Sequence, residues 1–188
     1  AGGAILYTFT NMLAFGVAAL GFFVYVVLYS LWKGRTVFGT AIGSVAGATP
    51  PVVGYCAASG QFDAAAMILF AILVLWQMPH FFAIALYRLD DYRKAGIPVL
   101  PLARGIFRTK AHMAAYILLL IPATMLLTYY GYTSKAFLWS SVVLGVIWLA
   151  MGLQGFAVRD DTLWGRRMFR FSLVLIGALC LIITFDKV

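Results

Sequence analysis

Six apolar runs, at about 5–32, 37–59, 64–87, 112–131, 136–157 and 168–185, take up most of this 188-residue chain. A helix rising 1.5 Å per residue crosses ~30 Å of hydrocarbon in ~20 residues. Lipid offers no hydrogen-bond partner, so a spanning segment of this kind must satisfy its own backbone as a helix. The chain is 64% hydrophobic and 11% charged, with mean hydropathy +0.97. A soluble domain is about half apolar and about a quarter charged. The expected fold is all-α, a polytopic transmembrane helix bundle of six spans, with residues 1–188 forming one membrane domain. The opening Ala-Gly-Gly-Ala has no basic leader, so no signal peptide is expected and the chain reads as starting inside a longer protein.

Charge placement gives an independent test of the span count. The segments after runs one, three and five hold Lys33 and Arg35; Arg88, Arg93, Lys94, Arg104, Arg108 and Lys110; and Arg159, Arg166, Arg167 and Arg170. That is 12 of the 14 basic residues, against only Lys135 and Lys187 on the other side. Basic loops mark the cytoplasmic side, so the expected setting is multi-pass in a bacterial inner membrane with these loops cytoplasmic. The formal charge of +8 is read as topology, and no nucleic-acid partner is expected. Cys56 and Cys180 lie in apolar runs with no C-x-x-C pattern and are expected to be packing thiols.

The second run contains Pro50-Pro51 and glycines at 39, 43 and 47. It reads either as a kinked packing helix with a smooth face or as a broken helix lining a pocket. The third run carries the chemistry. At 100° per residue, Trp76, His80, Ile84, Tyr87 and Asp91 fall on one face, with Asp91 about 16 Å beyond His80 if the helix continues. A histidine inside a span needs a partner or a task, and Gln77, one turn away, is a candidate partner. At the mouth of the run stand Asp90 and Asp91 among Arg88, Arg93 and Lys94. Carboxylates hold Mg²⁺ when the metal also grips substrate phosphate, and the basic groups then neutralise a diphosphate. Lys33 and Arg35 share that side, either as topology signals or as phosphate contacts. Residues 94–105, with Pro98 and Pro101, read as an ordered turn, the fourth span as starting near His112, and Asp160-Asp161 as loop electrostatics.

Three stretches resemble the protohaem farnesyltransferases, or haem O synthases, of the UbiA-type intramembrane prenyltransferases. They are YSLWKGRTVFGTAIGSVAGATPPVVGY (29–55), LWQMPHFFAIALYRLDDYRKAGIPVLP (75–101) and RDDTLWGRRMF (159–169). The resemblance implies nine spans in the full-length protein, of which these are the last six. It implies farnesyl transfer from farnesyl diphosphate to a vinyl group of protohaem (haem b), making haem O for terminal oxidases. Asp90 and Asp91 would be the catalytic, metal-holding pair for Mg²⁺, with Lys33, Arg35, Arg88, Arg93 and Lys94 on the diphosphate. Trp76, Gln77, His80 and Tyr87 would line the haem pocket. Implied partners are the lipid bilayer, the two substrates, and haem-delivery or oxidase-assembly proteins.

Two departures from the family pattern stand out. The first aspartate-rich motif, N-D-x-x-D-x-x-x-D, is absent from these 188 residues, so they are expected to be inactive alone. The second motif, D-x-x-x-D, has Lys94 and Ala95 four residues beyond the acid pair. Alternative readings are a quinone or chlorophyll-precursor prenyltransferase and a small membrane transporter subunit. Against a transporter, every Asp lies at or near a span end and no Lys or Arg lies mid-span. A bis-histidine electron carrier is disfavoured because His80 and His112 are the only histidines and His112 is interfacial.

Overall fold

A computed structural model describes residues 2–32, 34, 36, 37 and 39–186; Lys33 and Arg35 lie outside the described residues. Among these residues the elements are α1 (Gly2–Phe9), α2 (Met12–Trp32), α3 (Gly39–Ser59), α4 (Ala64–Tyr87), α5 (Leu89–Lys94), α6 (Leu100–Arg104), α7 (Ile106–Tyr129), α8 (Lys135–Gln154) and α9 (Asp161–Phe185). Five of them, α2, α4, α7, α8 and α9, are long and apolar enough to span a bilayer. The sixth expected span is the 21-residue α3, which forms but is not among those five. Its sequence is diluted by Gly, Ser, Thr and Pro. The protein is an all-α, multi-pass membrane protein.

The chain divides into two compact units, residues 1–74 and 75–188, with the boundary inside α4. In the first unit the helix expected from residue 5 is interrupted before Asn11. The Asn11 side chain caps α2 by accepting from Ala14 N at 2.8 Å and donates to Cys56 O at 2.9 Å. Such a side chain satisfies backbone groups that lipid would leave bare. Within α2, Val24–Tyr29 widens into a π-helix. Pro50 and Pro51 sit inside a continuous α3, which packs on α2 around Ala14, Val52 and Cys56. A Cβ on Gly43 would come within 3.1 Å of the Tyr29 ring. The glycine thus serves close packing, the role small residues take between membrane helices.

In the second unit α7, α8 and α9 pack side by side. The buried positions of α8 are Phe137, Ser141, Gly145, Trp148 and Gly152; those of α9 include Trp164, Met168, Ser172, Leu175 and Leu179. Both sets step by four, four, three and four residues, the spacing of a helix-packing seam. Large apolar side chains such as Trp139, Val143, Val146, Leu173 and Val174 point outward. Small and hydroxyl-bearing residues lie on the inner seams. Apolarity on every side leaves shape and hydrogen bonding to select the buried face.

Several local expectations are corrected. The ordered turn ends at Val99, because Leu100–Arg104 forms a short helix with Pro101 in its first turn, where a missing N–H costs nothing. The fourth span starts at Ile106 rather than near His112, which puts Arg108 and Lys110 inside a helix. Cys180 is exposed, so only Cys56 is a packing thiol.

Candidate functional site

The stripe from Trp76 to Asp91 is one helix only as far as Tyr87. Arg88 leaves the helical region at φ −108°, ψ 22°, and α5 restarts at Leu89 with Asp90 and Asp91 in its first turn. The acids therefore lie on a separate short helix, not 16 Å further along the same axis. Arg93 donates to Asp90 Oδ1 at 2.5 Å and Arg88 to Asp91 Oδ2 at 3.2 Å. The Asp91 hydrogen bond, first among the causes, raises the Arg88 pKa above its ordinary value. All four side chains are more than half exposed. Exposed pairs of this kind contribute little to stability, so a ligand displaces them at little cost.

Asp90 Oδ2 and Asp91 Oδ1 keep no hydrogen-bond partner among the described residues. Both residues line a cavity of about 560 Å³ with Tyr87, Arg88, Leu89, Thr162 and Arg166. No set of three or more His, Cys, Asp and Glu among the described residues forms a metal cage. The donor set fits Mg²⁺, which binds through one or two carboxylates and fills its other positions with water and phosphate oxygens. Lys94 is exposed in the last turn of α5 and is not among the cavity-lining residues.

Below the cavity, α9 supplies what the sequence reading missed. His80 is 9% exposed, and its Nδ1 lies 2.7 Å from Ser172 Oγ. Ser172 Oγ donates its single proton to Phe169 O at 2.6 Å. The Ser172 hydroxyl thus ties the His80 ring to the backbone of α9. Trp76 Nε1 donates to Ser172 O at 2.9 Å. Ser172, not Gln77, is the partner of His80, and Gln77 is buried separately. Ring contacts run from Trp76 to His80 (4.9 Å between centroids), His80 to Phe169 (5.0 Å) and Phe169 to Tyr87 (5.6 Å). Phe169 thus joins the buried histidine to a wall of the acidic cavity. Its signal was its place in the WGRRMF stretch. His112 lies apart and exposed, bonded to Arg108 O in its own helix.

The position of α9 is fixed at two points. Gly165 packs so close to α4 that a Cβ there would lie 3.2 Å from both Ala83 O and Leu86 Cβ. Behind it, the buried Lys110 donates to Gly155 O at 2.6 Å, pairs with Asp161, and sits 5.3 Å from the centre of the Trp164 ring. Asp160 accepts from Leu163 N at 2.9 Å as the N-cap. The second Asp-Asp pair is thus a cap and a buried-pair anchor rather than diffuse loop charge.

Helices of this length and apolarity define an integral membrane protein, here with a charged cavity at the end of an aromatic lane. The chain belongs to the UbiA prenyltransferase family, whose model matches residues 1–174. It is 54% identical to a protein named protoheme IX farnesyltransferase from Protochlamydia amoebophila, over 100% of this chain and 66% of that one. It is 52% identical to protoheme IX farnesyltransferase 2 of Pseudomonas paraeruginosa, over 99% of this chain and 63% of the relative. The protoheme IX farnesyltransferase of Yersinia pseudotuberculosis is 46% identical over the same shares. The chain therefore spans just under two thirds of the length of these relatives. No solved structure matches.

Proposed function

We propose that the protein transfers the farnesyl group of farnesyl diphosphate to a vinyl group of protohaem, giving haem O. The observation that carries this reading is the aromatic lane from Trp76 through His80 and Phe169 to Tyr87, opening beside Asp90 and Asp91, in a chain 54% identical to a protoheme IX farnesyltransferase. An amphiphile with a charged head and an apolar body matches that layout.

In this reading the allylic C–O bond breaks, the diphosphate leaves with the electron pair, and the vinyl π electrons form the new C–C bond. The hydroxyl of the product comes from water, with loss of a proton. Asp90 and Asp91 would hold Mg²⁺, which when bound would supply Lewis-acid stabilisation of the departing diphosphate. Arg88, Arg93 and Lys94, with Lys33 and Arg35, bind and neutralise the diphosphate oxygens. Trp76, Gln77, His80 and Tyr87 form the haem side, where aromatic walls exclude water from the carbocation and their faces stabilise it. The setting is a bacterial inner membrane with the basic segments cytoplasmic, close to haem-delivery or oxidase-assembly proteins.

The test is farnesyl transfer by the purified full-length protein with Mg²⁺, offering haem b and 4-hydroxybenzoate in parallel. Haem O as the product supports the reading. Prenylation of 4-hydroxybenzoate alone assigns the protein to the quinone branch of the family.

A further inference from the structure

We propose that the first two turns of α9 form the cationic wall of the cavity, with Arg166, assisted by the Thr162 hydroxyl, binding the phosphate oxygens of a metal-bridged diphosphate. This rests on the farnesyl diphosphate reading above and adds residues that the sequence placed among loop charges. Arg88 and Arg93 are each tied to one carboxylate of the acid pair. Arg166 has neither an ion pair nor a hydrogen bond among the described residues, yet it lines the same cavity. Its guanidinium carbon stands 6.0 Å from the Tyr87 ring centroid, on the residue that ends α4. Contact with an aromatic face orients the planar fork while leaving its N–H groups to bind phosphate edge-on.

The backbone is built to hold this arginine in place. Gly165 allows α9 to approach Ala83 and Leu86, and the Lys110–Asp161 pair anchors the turn that precedes Thr162. The next residue shows that the placement is specific. Arg167 lines a different cavity, with Met151, Gln154 and Trp164. Two adjacent arginines of equal charge therefore face two different cavities. The acid pair with its two arginines is close to neutral, so an anion not fully neutralised by one divalent cation needs a further, uncommitted cation. Among the described residues that line the cavity, Arg166 is such a cation.

The experiment measures binding of inorganic pyrophosphate, with Mg²⁺, to the detergent-purified full-length protein and its Arg166→Gln, Arg166→Lys, Thr162→Val and Arg167→Gln variants. Loss of one hydrogen bond to a charged group weakens binding by about tenfold or more. Arg166→Gln should show that loss with an unchanged melting temperature, because the side chain is exposed. Arg166→Lys should recover part of the affinity, Thr162→Val should lose less than Arg166→Gln, and Arg167→Gln should bind as the parent. An Arg166→Gln protein within threefold of the parent overturns the assignment. An equal loss in Arg167→Gln also overturns it, since a diffuse field would then explain both. Failure of the parent itself to bind pyrophosphate with Mg²⁺ sinks the farnesyl diphosphate reading, whereas tight parent binding with an indifferent Arg166 sinks only this one.

Discussion

Ser172 Oγ lies 2.7 Å from His80 Nδ1 and 2.6 Å from Phe169 O, so one hydroxyl on α9 ties the ring of a histidine on α4 to the α9 backbone. That contact occupies Nδ1 of the ring and leaves Nε2 outside it. It holds the orientation of the His80 ring.

Ser172→Ala removes the partner of His80 Nδ1 and leaves a buried ring nitrogen unpaired. Stranding a buried polar group costs about 1–3 kcal/mol, so the variant should melt at a lower temperature in detergent. It should also perturb haem binding if Nε2 faces haem, and His80→Ala should do so more strongly. Lowered stability with unchanged haem affinity in both variants would return His80 to a packing role.

Lys110 and Asp161 should not tolerate loss of their partners equally. Asp161→Ala leaves an ammonium that is 8% exposed without its counter-charge, while Lys110→Met leaves a carboxylate that is 30% exposed. Breaking a fully buried pair costs about 3–5 kcal/mol. Asp161→Ala should approach that range, and Lys110→Met should fall below it because water still reaches Asp161. Denaturation of the two variants side by side checks the order, and the reverse order contradicts the buried-cation account.

Gly165 and Gly177 both lie in α9, yet alanine should act on them in opposite directions. A Cβ at Gly165 meets Ala83 O and Leu86 Cβ at 3.2 Å, and one at Gly177 meets nothing within 4 Å. Overpacking costs about 1–3 kcal/mol, whereas Gly to Ala in an open helical position gains about 0.5–1 kcal/mol. Thermal unfolding should rank Gly177→Ala at or above the parent and Gly165→Ala below it. Pyrophosphate affinity should fall only in the latter, because only there does α9 move off the cavity.

Asp63 provides a pH test outside the spans. The Tyr55 hydroxyl donates to Asp63 Oδ2 at 2.8 Å and, helped by the amides of Ala65 and Ala66, holds the carboxyl below its ordinary pKa of 3.8. A depressed folded-state pKa gives stability that is fully present above the unfolded value and lost as pH falls through the folded one. The parent should therefore lose stability on acidification below about pH 4. Tyr55→Phe should show a shallower loss over that window, with the two curves separated mainly at higher pH. Parallel curves throughout would contradict the linkage.

Asp91→Asn keeps the shape of the site and removes a charge. If the carboxylate helps hold a metal-bound leaving group, turnover should fall by about 10²–10³. Raising Mg²⁺ should recover part of the diphosphate affinity. A turnover within tenfold of the parent would move the metal away from Asp91.

The sequence by itself determined the class of fold and the family. Runs of twenty apolar residues have one economical solution in lipid, the hydrogen-bonded helix, and basic residues gather where the runs end. It also placed the stretch WQMPHF and the pair Asp90-Asp91 near one another, since they are neighbours along the chain. It could not identify Ser172 as the partner of His80, Phe169 as the ring between His80 and Tyr87, or Lys110 as a buried cation. Ninety-two residues separate His80 from Ser172, and no periodicity within one helix encodes which neighbour it meets. Helices apolar on every side carry little amphipathic signal, so their rotation is set by glycine contacts and inward hydroxyls. Only packing decided that Arg166 faces the acidic cavity while Arg167 faces another, because adjacent residues on a helix point about 100° apart.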